Sequence, residues 1–366
     1  MINDRPSSAV VYRGDILLAM PGNPPLTTHP PTLRSALTRA TAQLDASPHL
    51  RADAPRDALV LLLHATSLTR AALYSDPDRT LTPEQQFAYD DHIRRRLTNE
   101  PIQYITGEQE FYSLSLHVTP AVLIPRPETE HLVEAVLSEL KQSEPDPAAP
   151  LRILDVGTGS GAIAIALAHH LPHAHITATD ISPAALEVAA ANAARHHLTN
   201  RIHFLASDLL ATIPPDTASE VASSRPERAI GVPGELARWG GAARSGETPA
   251  FAFDAPGSPA GGLGPLGWDA IVSNPPYVST ADRSTLHPQV RDHEPAIALF
   301  AGASGLDIYR RLIPQAHAAL KPNGLLALEI GHGQHDVVAA LLAGWNALRF
   351  VDDLQQAPRV ALARKP

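Results

Sequence analysis

Residues 273–278 read SNPPYV and follow the apolar run WDAIV. Proline cannot donate to a sheet ladder, so a strand entering this stretch must end in it. The Asn274 side-chain oxygen and a carbonyl of Pro275 or Pro276, freed from the ladder, make a pair of hydrogen-bond acceptors. Two acceptors suit a planar NH2 group with two donors, and Tyr277 can pack its ring against such a group. A nitrogen held this way keeps its lone pair aimed out of the plane at an electrophile. Methyl transfer to a weakly nucleophilic amide or exocyclic amine needs that alignment, with acceptors placed where positive charge builds. The chemistry asks for no metal. Read alone, the same stretch also fits a proline-rich turn that closes a strand.

A second set of residues lies at 154–161, LDVGTGSG, between an apolar strand pattern and the start of a helical one. Gly157, Gly159 and Gly161 allow a tight turn and a close approach of backbone to a ligand, with Thr158 and Ser160 between them. With Ala162 in the last place the loop also meets the looser dinucleotide pattern, so a nicotinamide enzyme competes. Asp155 tilts the balance: a carboxylate beside the loop could accept from a ligand amino group but would oppose a pyrophosphate. Asp180 ends the next strand, where a carboxylate can take two ribose hydroxyls, a feature shared by both cofactor classes. Asp208 ends the strand after that, where an adenine amino group could lie. Each acid alone also reads as a cap or a solvated loop residue. Together they mark the carboxyl ends of three successive strands, where ligands bind in open α/β sheets.

The elements that must hold these residues follow from periodicity. From residue 151 the pattern alternates strand and helix, ending in two strands, RFVDDL and RVALAR. That rhythm predicts a doubly wound, mostly parallel sheet. Ser182 and Pro183 are placed as N-cap and first residue of the helix after Asp180. Residues 31–100 place apolar residues at spacings of three and four in 32–46, 56–74 and 82–99, which predicts a small helical bundle, with Thr82 and Pro83 opening the last helix. Residues 101–125 read as a β-hairpin linker, and 126–366 as the catalytic domain opening on a helix. Residues 1–30 are expected to be a disordered tail. The Gly-, Ala-, Pro- and Ser-rich stretch 217–267 interrupts two strong strands and is expected to be a disordered insert.

Bulk properties narrow the function classes. At 366 residues the chain has room for about two domains. A net charge of -9 argues against a general nucleic-acid binder. Cysteine is absent, which excludes disulfides, thiolate nucleophiles and Cys-ligated zinc, and fits a cytoplasmic protein. No apolar run reaches the ~18 residues of a membrane span. His332 and His335 in GHGQH are spaced like a metal pair, but no third ligand is apparent, so they are read as helix-start or surface residues and no metal is expected.

DVGTGSGAIAIALA with TDIS, SDLL and SNPPYV resembles a class I S-adenosylmethionine-dependent methyltransferase of the amino-methylating branch. EPIQYITGEQEFYSLSLHVTPAVLIPRPETE, EPAIALFAGASGLDIYRRLI and LALEIGHGQ narrow the resemblance to the HemK/PrmC family, the protein-(glutamine-N5) methyltransferases of peptide-chain release factors. The similarity covers about residues 35–215 and 268–365. It implies a Rossmann-like, mostly parallel seven-stranded sheet and the cofactor S-adenosyl-L-methionine. It implies that residues 157–161 line the methionine part, Asp180 the ribose, and Asp208 with Leu209 the adenine. Asn274, Pro275, Pro276 and Tyr277 would hold the substrate glutamine, with Asn274 also bordering the cofactor. Arg126, Pro127 and Glu128 fall in the IPRPETE motif near the active site. Arg126 either borders the substrate or pairs with Glu128 or Glu130 to order the loop. Glu294 and Pro295 can be a structural turn. The helical N-terminal domain would grip the protein substrate. The tail, the insert and an aliphatic Leu209 where the family can carry an aromatic are departures.

The function expected is methylation of the glutamine in a release-factor Gly-Gly-Gln motif by a cytoplasmic monomer that takes no nucleic acid and no membrane as partner. The alternatives are a glutamine methyltransferase of a ribosomal protein, an adenine-N6 DNA methyltransferase, a nicotinamide oxidoreductase and a non-catalytic scaffold.

Overall fold

The computed structural model describes residues 30–143, 151–213 and 267–366. Apart from Pro30 and Gly267, the expected tail at 1–30 and insert at 217–267 lie outside the described residues. The chain divides into two compact units, with the boundary between Arg94 and Arg95.

The first unit is helical. Helix α1, Leu33–Asp45, is opened by Thr32 and Ser35 in a reciprocal capping box and buries Leu33, Ala36, Ala40 and Leu44. Helix α2, Ala54–Thr66, buries Ala58, Leu61 and Leu62. The helical reading of 56–74 needs one correction. At Ser67 the backbone turns left-handed (φ 55°), and Thr69 caps a new short helix, α3, Arg70–Ser75, by accepting from Ala72 N at 3.2 Å. Helix α4, Pro83–Leu97, opens at Thr82, whose hydroxyl accepts from Gln85 N while Gln85 Oε1 accepts from Thr82 N, both at 3.2 Å. From α4, Tyr89 is buried and its hydroxyl donates to the Ala58 carbonyl at 3.0 Å.

In the second unit a short helix, α5, Ile102–Thr106, precedes an antiparallel hairpin of β1, Glu108–Phe111, and β2, Leu114–His117. Tyr112 and Ser113 form its two-residue turn with φ of 50° and 62°, the hand that matches strand twist. Helix α6, Pro127–Ser143, leads to the main sheet. Its strands are β3 Leu151–Val156, β4 Ala174–Asp180, β5 Ile202–Ala206, β6 Trp268–Ser273, β7 Leu320–Glu329, β8 Asn346–Asp352 and β9 Pro358–Arg364. Their order is β5-β4-β3-β6-β7-β9-β8, and only β9 runs against its two neighbours, so the sheet is seven-stranded and mostly parallel as expected. This is the class I methyltransferase architecture.

Side-chain alternation divides the core into two layers. Ile153, Ala270, Val272, Leu325 and Ala327 face a layer shared with α6 and with α7, Ala162–His170. Leu154, Ile271, Leu326 and Leu328 face the opposite layer with the helix Asp307–Ala319. After β3 the chain goes outward through α7 to β4, then through α8, Pro183–Arg195, to β5, whereas β6 lies on the other side of β3. The strand order reverses at β3/β6, which opens a crevice at the carboxyl edge there. Sequence periodicity did not anticipate the short helices Pro288–His293 and Ala296–Leu299 that follow residues 273–278. They loop out and return so that Val278 bridges Phe300.

Candidate active site

The crevice is lined by the ends of parallel strands. Ser273, the last residue of β6, donates its hydroxyl to the Val156 carbonyl at the end of β3 at 2.7 Å. That bond places the Asn274 stretch beside the glycine loop. Within the loop, Gly157 N and Thr158 N both donate to the Thr179 carbonyl of β4, at 2.8 and 2.9 Å. The three glycines all have positive φ but differ in surroundings. Among the described residues a Cβ at Gly157 or Gly159 would meet nothing within 4 Å, so they leave this face of the loop open. A Cβ at Gly161 would stand 3.2 Å from Ala189 Cβ and 3.1 Å from Ile165 Cδ1, because this glycine lets α7 lie close against α8.

Three acids behave differently. Asp155 is fully buried; its Oδ2 accepts from the Thr158 hydroxyl at 2.6 Å, and among the described residues no donor meets Oδ1 in good hydrogen-bond geometry. Burial pushes its carboxyl up to about 7, against the pull of the Thr158 bond. Asp180 accepts from Gly159 N and Ser182 N, each at 2.9 Å, so it ties the glycine loop to the start of α8; burial raises it too. Ser182 caps α8 and Pro183 opens it, as expected. Asp208 is half exposed and one oxygen is held by Arg311 at 2.6 Å. Leu209 follows with φ 55° and packs on the layer beneath the helix Asp307–Ala319. The Ser160 carbonyl accepts from Asn192 Nδ2 of α8 at 2.9 Å. The same Asn192 exchanges hydrogen bonds with the backbone of His117, so it also fastens the hairpin.

On the other side of the crevice, Asn274 Nδ2 donates to Thr129 Oγ1 at 3.0 Å, and Thr129 Oγ1 donates to Glu329 Oε2 at 2.6 Å. Tyr277 donates its hydroxyl to Glu329 Oε1 at 3.2 Å, and Tyr309 donates to the Glu329 carbonyl at 2.9 Å. Glu329, the last residue of β7, is 1% exposed, and burial pushes its carboxyl up to about 7. Burial also raises the Tyr277 phenol, which stays neutral. Pro275 is buried beside Asn274 and Pro276. Gln334 accepts from Gly331 N and donates to the Tyr277 carbonyl, both at 3.0 Å. Gly331 and Gly305 leave room for Tyr277: a Cβ would stand 2.9 Å from its ring at the first and 2.3 Å from its carbonyl at the second.

Arg126 corrects one alternative. It pairs with Glu294, a fully buried carboxylate that also accepts from Ile124 N at 3.3 Å, and not with Glu128 or Glu130. A carboxylate fully withdrawn from water demands a cation more strongly than the half-buried Glu128 and Glu130 in the first turn of α6. Glu130 instead accepts from Tyr112 N at 2.8 Å. Glu294 is therefore more than a turn residue.

Reasoning from sequence assigned no role to Thr129, Glu329 or Asn192. A signal existed for Glu329: a lone acid closing the apolar run LLALEIG. His335 Nδ1 lies 2.8 Å from Asp336 Oδ1, and its ring centre lies 4.1 Å from that of Phe350 with the planes tilted by 53°. Among the described residues no group of three or more His, Asp or Glu is arranged to hold a metal, and no helix is long and apolar enough to cross a membrane.

The model of the PrmC N-terminal domain matches residues 35–107, and a methyltransferase domain model matches residues 153–226. The release factor glutamine methyltransferase of Koribacter versatilis is 40% identical over 339 residues, covering 92% of this chain and 99% of that protein. That of Moorella thermoacetica is 41% identical, covering 87% and 92%. That of Deinococcus radiodurans is 36% identical, covering 91% and 98%. At 36% to 41% identity over nearly the full length of these relatives, the chain belongs to the release factor glutamine methyltransferase family.

Proposed function

We propose that this chain transfers a methyl group from S-adenosyl-L-methionine to the side-chain amide nitrogen of the glutamine in the Gly-Gly-Gln motif of peptide-chain release factors. The observation that carries the reading is the bond from Ser273 to Val156, which sets the amide-holding Asn274 stretch beside the open glycine loop. The loop suits the cofactor: the open face at Gly157 and Gly159 leaves room, and Asp155 offers a buried oxygen that no donor among the described residues meets in good geometry. Residues 157–161 would hold the methionine part, with Asp155 behind them. Asp180 would take the ribose hydroxyls on the lone pairs that its two backbone donors leave free. Asp208 and Leu209 would border the adenine.

When bound, the cofactor supplies an electrophilic methyl on a cationic sulfur. The chain's own task is to present a poor nucleophile correctly. Asn274 Oδ1 and the Pro275 carbonyl would accept hydrogen bonds from the two amide N–H groups, which favours rehybridisation of the nitrogen as it gains positive charge; one of these protons must then leave to give the neutral methylamide. Pro276 stiffens the turn, and Tyr277, anchored on Glu329, walls the site and keeps water out. Arg126, held by Glu294, borders the substrate. In this reading residues 31–100 grip the protein substrate, 101–125 link, and 126–366 carry the chemistry. The enzyme works as a cytoplasmic monomer with no nucleic-acid substrate.

The test offers purified release factor and DNA side by side with radiolabelled cofactor, followed by mass spectrometry of the product. Label on the release-factor glutamine, lost when that glutamine is replaced, is expected. Label on DNA alone would overturn the choice of substrate.

A further inference from the structure

We infer that Thr129 and Glu329 are positioning residues that dictate which way the Asn274 amide points, so that its oxygen faces the substrate. The inference rests on the methyltransferase reading above.

With Glu329 ionised, the hydrogen bonds leave one consistent assignment. Thr129 is 4% exposed and Glu329 1%, so neither relies on water. A threonine hydroxyl has one proton to give. An ionised Glu329 can only accept, so that proton lies on the 2.6 Å bond to Glu329 Oε2. What the hydroxyl still offers Asn274, 3.0 Å away, is a lone pair. Only the NH2 end of the amide can meet a lone pair. Asn274 Oδ1 is thereby turned the other way, where an amide NH2 needs an acceptor. Without this chain the Asn274 amide is free to rotate by half a turn. It would then set donors against donors.

A proton on Glu329 reverses the order. The carboxyl then donates to Thr129, the hydroxyl proton swings to Asn274, and the amide is drawn into the wrong orientation. The groups facing Glu329 are the phenols of Tyr277 and Tyr309, the Thr129 hydroxyl, the like charge of Glu128 and the cation of Arg359, which Asp353 holds at 2.8 Å. Burial with Glu128 favours the protonated form; Thr129, Tyr277 and Arg359 favour the charged one.

Two substitutions separate positioning from packing. Thr129→Val keeps the branched volume and loses the hydroxyl; Thr129→Ser keeps the hydroxyl and loses a methyl. Methylation of release factor is measured for each, with cofactor affinity by calorimetry and melting temperature alongside. A positioning role lowers kcat of Thr129→Val by about ten- to a hundred-fold and leaves Thr129→Ser within about threefold, with cofactor affinity unchanged in both. A packing role gives the reverse order and overturns the inference, as does wild-type kcat in Thr129→Val. Should Thr129→Val fail to fold, Glu329→Gln decides. The wild-type kcat falls as pH drops through about 7, whereas Glu329→Gln, which cannot gain a proton, stays flat. The same fall in both overturns the inference. A wild-type protein that binds cofactor but labels no release factor would overturn the functional reading, and the inference with it.

Discussion

Removing Arg126 should unfold the second unit more readily than its surface position suggests. Its partner Glu294 is fully buried and, among the described residues, accepts otherwise from Ile124 N at 3.3 Å. In Arg126→Ala that carboxylate keeps its burial and loses its cation. Breaking a buried pair from one side costs about 3–5 kcal/mol. The Arg126 side chain is 28% exposed, so water already shares part of its charge, and the lower end, about 3 kcal/mol, is the better figure. That is a large share of a typical stability of about 5–15 kcal/mol. At about 2–4 °C per kcal/mol it lowers the melting temperature by about 6–12 °C. The assay is calorimetric melting of wild type, Arg126→Ala, Glu294→Gln and the double variant. Glu294→Gln should cost only about 1 kcal/mol, because it leaves no charge buried and can still accept from Ile124. The double variant should therefore be more stable than Arg126→Ala alone, a coupling of about 2 kcal/mol. Arg126→Ala within about 0.5 kcal/mol of wild type would refute the reasoning.

Four other outcomes are expected. Asn274→Ala should lower turnover at least about a hundred-fold while cofactor affinity, measured by calorimetry, changes by less than about twofold; loss of both in step would contradict the division of labour between the two sides of the crevice. Asp155 and Glu329 have folded pKa values raised above those of the unfolded chain, so the native state binds more protons between about pH 4 and 7, and stability falls as pH rises through that window. Urea midpoints should show this slope, and it should flatten in Asp155→Asn combined with Glu329→Gln. Gly161→Ala pushes a methyl against Ala189 and Ile165 at a φ of 83° and should destabilise by about 1–3 kcal/mol, read from urea melts. Gly159→Ala has free space around it but sits at a φ of 56°, so it should cost about 1 kcal/mol of stability through backbone strain and weaken cofactor binding by more than that.

Much of this was legible in the linear chain because the physics involved is local. The alternation in LRILDV and WDAIVS decides which residue faces which layer, and the structure sends Leu154 and Ile271 one way and Ile153 and Ala270 the other. Ser182 with Pro183 and Thr82 with Pro83 open helices because a cap is an interaction between residues three apart. The break at Ser67 carries no such local mark, because its left-handed turn has no glycine.

The sequence by itself thus determined the sheet class, the glycine loop, the acids at the strand ends and the Asn274 stretch, each a matter of short spacing. Only the tertiary structure decided what holds them. Thr129 and Glu329 are 200 residues apart, Arg126 and Glu294 168, and His117 and Asn192 75. Thr129 and Glu329 meet where the end of β7 and the start of α6 come to one crevice; His117 and Asn192 meet where the hairpin lies on α8. Hydrophobic periodicity says which face of an element is buried. It carries nothing about which distant polar side chain will be waiting there, since that depends on strand order and on the angle at which each helix returns.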